Sequence, residues 1–126
     1  MDAFFNILIV DASKFMREYI HKSLKRSGYT RLFTAVDGKD ALDSLMEHKI
    51  DLIISELNMP KVNGLELLKA LLNHSTLKHI PFMISTKDTS NELFQEAMKI
   101  GATEYIKKPF TSKEIDFKIK KIINRS

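Results

Sequence analysis

Cysteine is absent from the 126 residues, which removes any disulfide framework and any thiolate chemistry. That absence fits a reducing compartment, and a cytoplasmic location is the expectation. Tryptophan is missing too, although 44% hydrophobic and 29% charged residues form an ordinary balance for one globular domain. No apolar run approaches the roughly 20 residues that cross a bilayer, so no membrane role is expected. The stretch MDAFFNILIVDASK lacks a basic start, and Asp11 interrupts its apolar part, so a signal peptide is not expected either. Glycine-rich phosphate loops of the GxxxxGK[ST] and GxGxxG types do not occur, nor does a GxSxG elbow. His21, His48, His74 and His79 are scattered, with no HExxH or i,i+4 pair, which argues for surface side chains and against zinc.

What is present begins with charge. Twenty basic residues against 16 acidic ones give a net charge of +4. The excess gathers near the end, at Lys107, Lys108, Lys113, Lys118, Lys120, Lys121 and Arg125. Bases spread along one terminal helix read as a solvated face. Without a recognition-helix module, nucleic acid is not the expected partner.

Hydrophobic patterning orders the chain. Five β-type runs, at 6–10, 31–35, 51–55, 81–85 and 103–107, alternate with segments of helical period. The first helix presents Phe15, Met16, Tyr19, Ile20 and Leu24, with Ser13 as its cap and Gly28 as its stop. The second, over 38–49, presents Ala41, Leu42, Leu45 and Met46. Leu65, Leu68, Leu71 and Leu72 mark the third; Leu93, Phe94, Ala97 and Met98, before Gly101, mark the fourth. Ile115, Ile119, Ile122 and Ile123 mark the last, capped by Thr111 or Ser112. ILIV and LIIS are almost continuously apolar, as strands buried on both faces must be. One α/β domain over 1–126 follows: a (βα)5 chain wound as an open parallel sheet with helices on both faces.

Ligands of such sheets bind beyond the carboxyl ends of the strands. Asp11 follows the first strand, Glu56 ends the third, Thr86 follows the fourth, and Lys108 with Pro109 follows the fifth. Two carboxylates, a hydroxyl and an ammonium therefore share one rim. For each there is a plainer role: a helix cap for Asp11, a turn hydroxyl for Thr86, an ion-pair partner for Lys108. Phe117 lies off the isoleucine stripe among lysines, a position equally suited to a partner surface and to partial burial.

ILIVDASKFMR, DGKDAL, IISELNMPKVNGLELLK, MIST and GATEYIKKPF, with the spacing among them, resemble the receiver domains of two-component response regulators. The likeness covers essentially the whole chain and is strongest to the stand-alone chemotaxis type. It implies a flavodoxin-like sheet of order 2-1-3-4-5. By the same likeness Glu56 stands where the family carries its phosphoaccepting aspartate, and Asp11 on the first acid of the metal pocket. Ala12 then occupies the position of the main metal-binding acid, and Asn58 would offer its backbone carbonyl to Mg²⁺. Thr86 falls on the switch hydroxyl, Tyr105 on the switch aromatic, and Lys108 on the phosphoryl-contacting lysine. Lys108–Pro109 is a candidate cis peptide.

Two departures bear on the chemistry. Glutamate is one methylene longer than aspartate, which displaces its carboxylate by roughly 1–1.5 Å, and misplacement on that scale costs about a hundredfold in rate. Alanine at 12 removes a ligand from a cation that wants near-octahedral oxygen coordination. The expectation is a non-enzymatic signalling module with weak Mg²⁺ binding or none, and no other cofactor. It would act by contact with a histidine kinase, motor or adaptor through helix 4, strand 5 and helix 5. Within that expectation Glu56 either imitates the phosphorylated state or simply pairs with Lys108. The alternative is a Mg²⁺-dependent phosphoryl-accepting regulator with residual activity.

Overall fold

A computed structural model describes residues 5–124. Arg125, counted above in the basic excess, lies outside them. Five strands alternate with five helices: β1 (Asn6–Val10), α1 (Lys14–Arg26), β2 (Arg31–Ala35), α2 (Gly38–Glu47), β3 (Leu52–Ser55), α3 (Gly64–Leu72), β4 (Phe82–Thr86), α4 (Glu92–Ile100), β5 (Glu104–Lys107) and α5 (Ser112–Asn124). All pairings are parallel, in the order β2-β1-β3-β4-β5. The doubly wound, flavodoxin-like sheet read from the sequence is therefore the fold.

Every residue of β1, β3 and β4 is buried, because helices cover both of their faces. Alternate side chains feed two cores. Leu8, Val10 and Ile53 join α2, α3 and α4 on one face, through Leu45, Leu68 and Phe94. Ile7, Ile9 and Ile54 join α1 and α5 on the other, through Ile20, Leu24, Ile115 and Ile119. β2 and β5 are the sheet edges, and only on them do exposed and buried residues alternate or mix.

Local chemistry sets the helix ends. Ser13 caps α1, Asp37 caps α2 and Asn91 caps α4, each side chain accepting a first-turn N–H. Asn63 and Glu66 make a reciprocal capping box at α3. At α5 the same box forms between Thr111 and Glu114, so Thr111 and not Ser112 is the cap. Gly101 closes α4 with φ of 145°, a left-handed conformation that favours glycine. α2 ends at Glu47, two residues before the expected Lys49.

Two expected core positions are wrong. Phe15 is 73% exposed and Met46 69% exposed, although both fall within the apolar helical patterns. α1 buries Ile20, Ser23 and Leu24, and α2 buries Gly38, Ala41 and Leu45, so each helix turns a narrower stripe inward than its apolar residues mark out. Phe117 is 64% exposed, which leaves partial burial as the poorer of its two readings.

Glycine at 64 is a packing requirement. A Cβ there would lie 2.3 Å from the Glu56 carbonyl oxygen and 2.8 Å from the Leu57 Cα, both backbone atoms. The Gly64 N–H also bonds the Leu57 carbonyl at 2.9 Å, which folds the β3–α3 loop back on the end of β3. Gly64→Ala should therefore destabilise the domain by about 1–3 kcal/mol, as overpacking of a rigid contact does, read as a lower urea midpoint at unchanged m-value.

Candidate functional site

The rim at the carboxyl ends of the strands holds a charge cluster around Lys108. β5 ends at Lys107, and the Lys108 N–H bonds the Thr86 carbonyl at 2.8 Å, extending the β4–β5 ladder by one step. The Lys108–Pro109 peptide is cis. From there the side chain runs inward, its Nζ 2.7 Å from Asp11 Oδ2 and 2.7 Å from Glu56 Oε1. Side-chain exposures of 5% for Lys108, 5% for Asp11 and 13% for Glu56 make this a buried cluster. Lys108 thus belongs to the pocket, not to the solvated basic face in which its lysine neighbours were counted.

The remaining carboxylate oxygens are occupied too. Asp11 Oδ1 accepts the Ser13 N–H at 2.9 Å, and Arg17 Nη1 donates to the Asp11 carbonyl at 2.7 Å. Glu56 Oε2 accepts the Leu57 N–H at 2.6 Å and the Asn58 N–H at 3.5 Å. The extra methylene lets the glutamate carboxylate curl back over its own loop while still reaching Lys108. One ammonium between two carboxylates leaves the cluster with a residual negative charge, which those backbone N–H groups offset.

Thr86 is buried at the end of β4, inside the strand instead of after it, and its hydroxyl takes the Asp88 N–H at 3.4 Å. No hydrogen bond joins Thr86 to Glu56 among the described residues. Asn58 is exposed at the mouth of the pocket, as is Ala12. Tyr105 is 36% exposed on β5. Its ring meets the Phe94 ring edge-on at 5.1 Å and carries Lys118 Nζ 4.9 Å above its centre. The structure thus brings Asp11, Glu56 and Lys108 into direct contact, with Thr86 one backbone hydrogen bond away and Tyr105 at the sheet edge.

The donor set is a poor fit to Mg²⁺. Both carboxylates are bound to the same ammonium and to backbone N–H groups, and Ala12 contributes no oxygen. Among the described residues no three acidic, histidine or cysteine side chains converge as metal ligands.

Glu104 escaped the sequence reading. It is buried, and α5 brings two lysines to it: Lys118 at 3.2 Å from Oε1 and Lys121 at 3.1 Å from Oε2. Burial works against its ionisation, but the Tyr105 N–H and the two lysines outweigh it and hold its pKa below the usual carboxylate range. A charged residue at an inward position of an edge strand, with lysines 14 and 17 residues on, was the available signal.

Comparison with known proteins then identifies the family. The model of the response regulator receiver domain matches residues 7–120. The chain belongs to that family. It is 36% identical to a chemotaxis protein CheY of Pseudomonas aeruginosa over 119 residues, covering 94% of this chain and 96% of the relative. CheY-3 of Vibrio cholerae is 35% identical, with 94% and 92% covered. Among solved structures, CheY4 of Vibrio cholerae superposes with a TM-score of 0.86 at 34% identity, covering 94% of this chain and 98% of that one. This receiver is a module of two-component signalling. No helix of its described residues is long and apolar enough to cross a membrane.

Two predictions follow from the receiver's charge networks. Lys108→Met should cost about 3–5 kcal/mol, because it strands a buried and a partly buried carboxylate beside each other; chemical denaturation measures it. Glu104 is more acidic folded than unfolded, so the folded state gains from its charge above the ordinary carboxylate range. That gain disappears as pH falls through the lowered folded value. Glu104→Gln should therefore be less stable than the parent at neutral pH, and the difference should shrink in acid, followed by urea midpoint against pH.

Proposed function

We propose that this receiver signals by protein–protein contact in a chemotaxis-type pathway, with its pocket satisfied internally and not by phosphorylation. The observation that carries the reading is the Lys108 ammonium held at 2.7 Å from both Asp11 and Glu56, with every carboxylate oxygen engaged. Glu56, at the position of the family's phosphoaccepting aspartate, is a partner of Lys108 and, among the described residues, makes no hydrogen bond to the Thr86 hydroxyl. That favours an ion-paired, phosphorylation-independent pocket over an imitation of the phosphorylated switch. A carboxylate also carries only about one negative charge where a phosphoryl group carries up to two.

Phosphoryl transfer rests on positioning and charge neutralisation, and both are altered here. The nucleophilic oxygen is displaced by the longer side chain, and the position of one metal-binding acid is alanine. The domain accordingly works as a binding module and not as an enzyme, in the cytoplasm. Its contact surface is the face of α4, β5 and α5. On its β5 and α5 side a groove of about 530 Å³ is lined by Tyr105, Lys107, Lys113, Glu114, Phe117 and Lys118, two aromatic rings among three lysines and a glutamate. A histidine kinase, a motor component or an adaptor are the partner classes this surface suits.

Intact-mass measurement after incubation with Mg²⁺ and a small acyl-phosphate donor tests the reading. The expected spectrum is that of the unmodified chain; a stoichiometric phospho-adduct overturns the proposal and establishes the phosphoryl-accepting alternative. The pair Ala12→Asp with Glu56→Asp should restore Mg²⁺ binding and produce the adduct. If that variant binds Mg²⁺ no better than the parent, the two substitutions are not what closes the pocket.

A further inference from the structure

We propose that Glu104 is a positioning residue for Tyr105, acting through Lys118. The two are neighbours on β5, so their side chains leave opposite faces of the sheet. Glu104 faces α5 and is buried, while Tyr105 faces α4 and meets Phe94. They can share a partner only because β5 is the sheet edge. Lys118 reaches from α5 around that edge, its Nζ 3.2 Å from Glu104 Oε1 and 4.9 Å from the centre of the Tyr105 ring.

Oε1 is the hub of this arrangement. It accepts the Tyr105 N–H at 3.0 Å as well as Lys118, so one oxygen holds both the backbone of Tyr105 and the cation above its ring. Oε2 takes Lys121 at 3.1 Å, a contact that does not touch Tyr105. A lysine over the face of an exposed ring is mobile unless something fixes its head group, since its side chain carries substantial rotamer entropy. Glu104 supplies that fixing charge from a buried site. The ring is thereby held by two contacts, an edge-to-face pairing with Phe94 and the Lys118 ammonium over its face.

The orientation of Tyr105 is then set at the sheet edge, independently of what occupies the pocket. This goes beyond the proposed function and rests on it only in taking Tyr105 as part of the partner-facing surface. It also makes the two halves of the Glu104 carboxylate separable: Oε1 positions, and Oε2 ties α5 down.

Nuclear Overhauser contacts between the Tyr105 ring protons and the Lys118 ε-methylene report the arrangement directly, with Tyr105→Phe to assign the ring. The parent should show them, Glu104→Gln should lose them or weaken them several-fold, and Lys121→Gln should keep them. A purely structural Glu104 predicts that Glu104→Gln and Lys121→Gln behave alike, and that result overturns the proposal. So do parental contacts in Glu104→Gln. Far-UV circular dichroism checks the fold of each variant. If Glu104→Gln does not fold, Lys118→Gln, a change at a half-buried helix position, must move the Tyr105 ring resonances; unmoved resonances overturn the proposal equally. The readout is independent of the mass of Glu56, so either proposal can fail without the other.

Discussion

A single ammonium group ties together three strands that are far apart in sequence. Lys108, just past β5, binds Asp11 after β1 and Glu56 after β3, so the carboxyl ends of the sheet are closed by one cation between two anions. Buried charges are tolerated only when paired and hydrogen-bonded. Here the pairing is complete down to individual oxygens, with Ser13, Leu57 and Asn58 supplying backbone donors. The loops around the pocket take their course from that requirement. Ser13 turns into α1 beside Asp11, and Gly64 packs against the Glu56 carbonyl where no larger residue fits.

A second charge network lies at the β5 edge and follows different rules. Glu104 is buried by α5 and paired with two lysines of that helix, one of which also covers Tyr105. The pocket network joins loops; the edge network joins a strand to a helix and to an aromatic on the far face of the sheet. Between them stands Thr86, whose carbonyl receives the Lys108 N–H and whose hydroxyl bonds Asp88.

Much of the fold was legible because burial on both faces leaves a plain mark. ILIV and LIIS have the length and continuous apolarity of central strands, and the helical stripes between them lead to parallel crossovers. The site was legible for a related reason: residues just past successive parallel strands share one rim whatever their side chains. Less legible were positions where the pattern is locally ambiguous. Phe15 and Met46 sit on the margins of apolar stripes, and only the packing of α1 and α2 leaves them in solvent. Glu104 drew no attention in the sequence, because an isolated charge carries no sign of burial and the lysines that pair with it lie 14 and 17 residues away.

The amino-acid sequence by itself determined the class of fold, the strand ends that would carry chemistry, and the family, through residue types and spacings that are local properties. Only the tertiary structure decided how the charges share one another. Whether Glu56 would reach Thr86 or turn to Lys108, and whether Lys118 would point to solvent or to Glu104, depends on distances of a few ångströms between elements remote in the chain. Coulomb energy and desolvation both change steeply over that range, so the outcome belongs to the packing and not to the pattern.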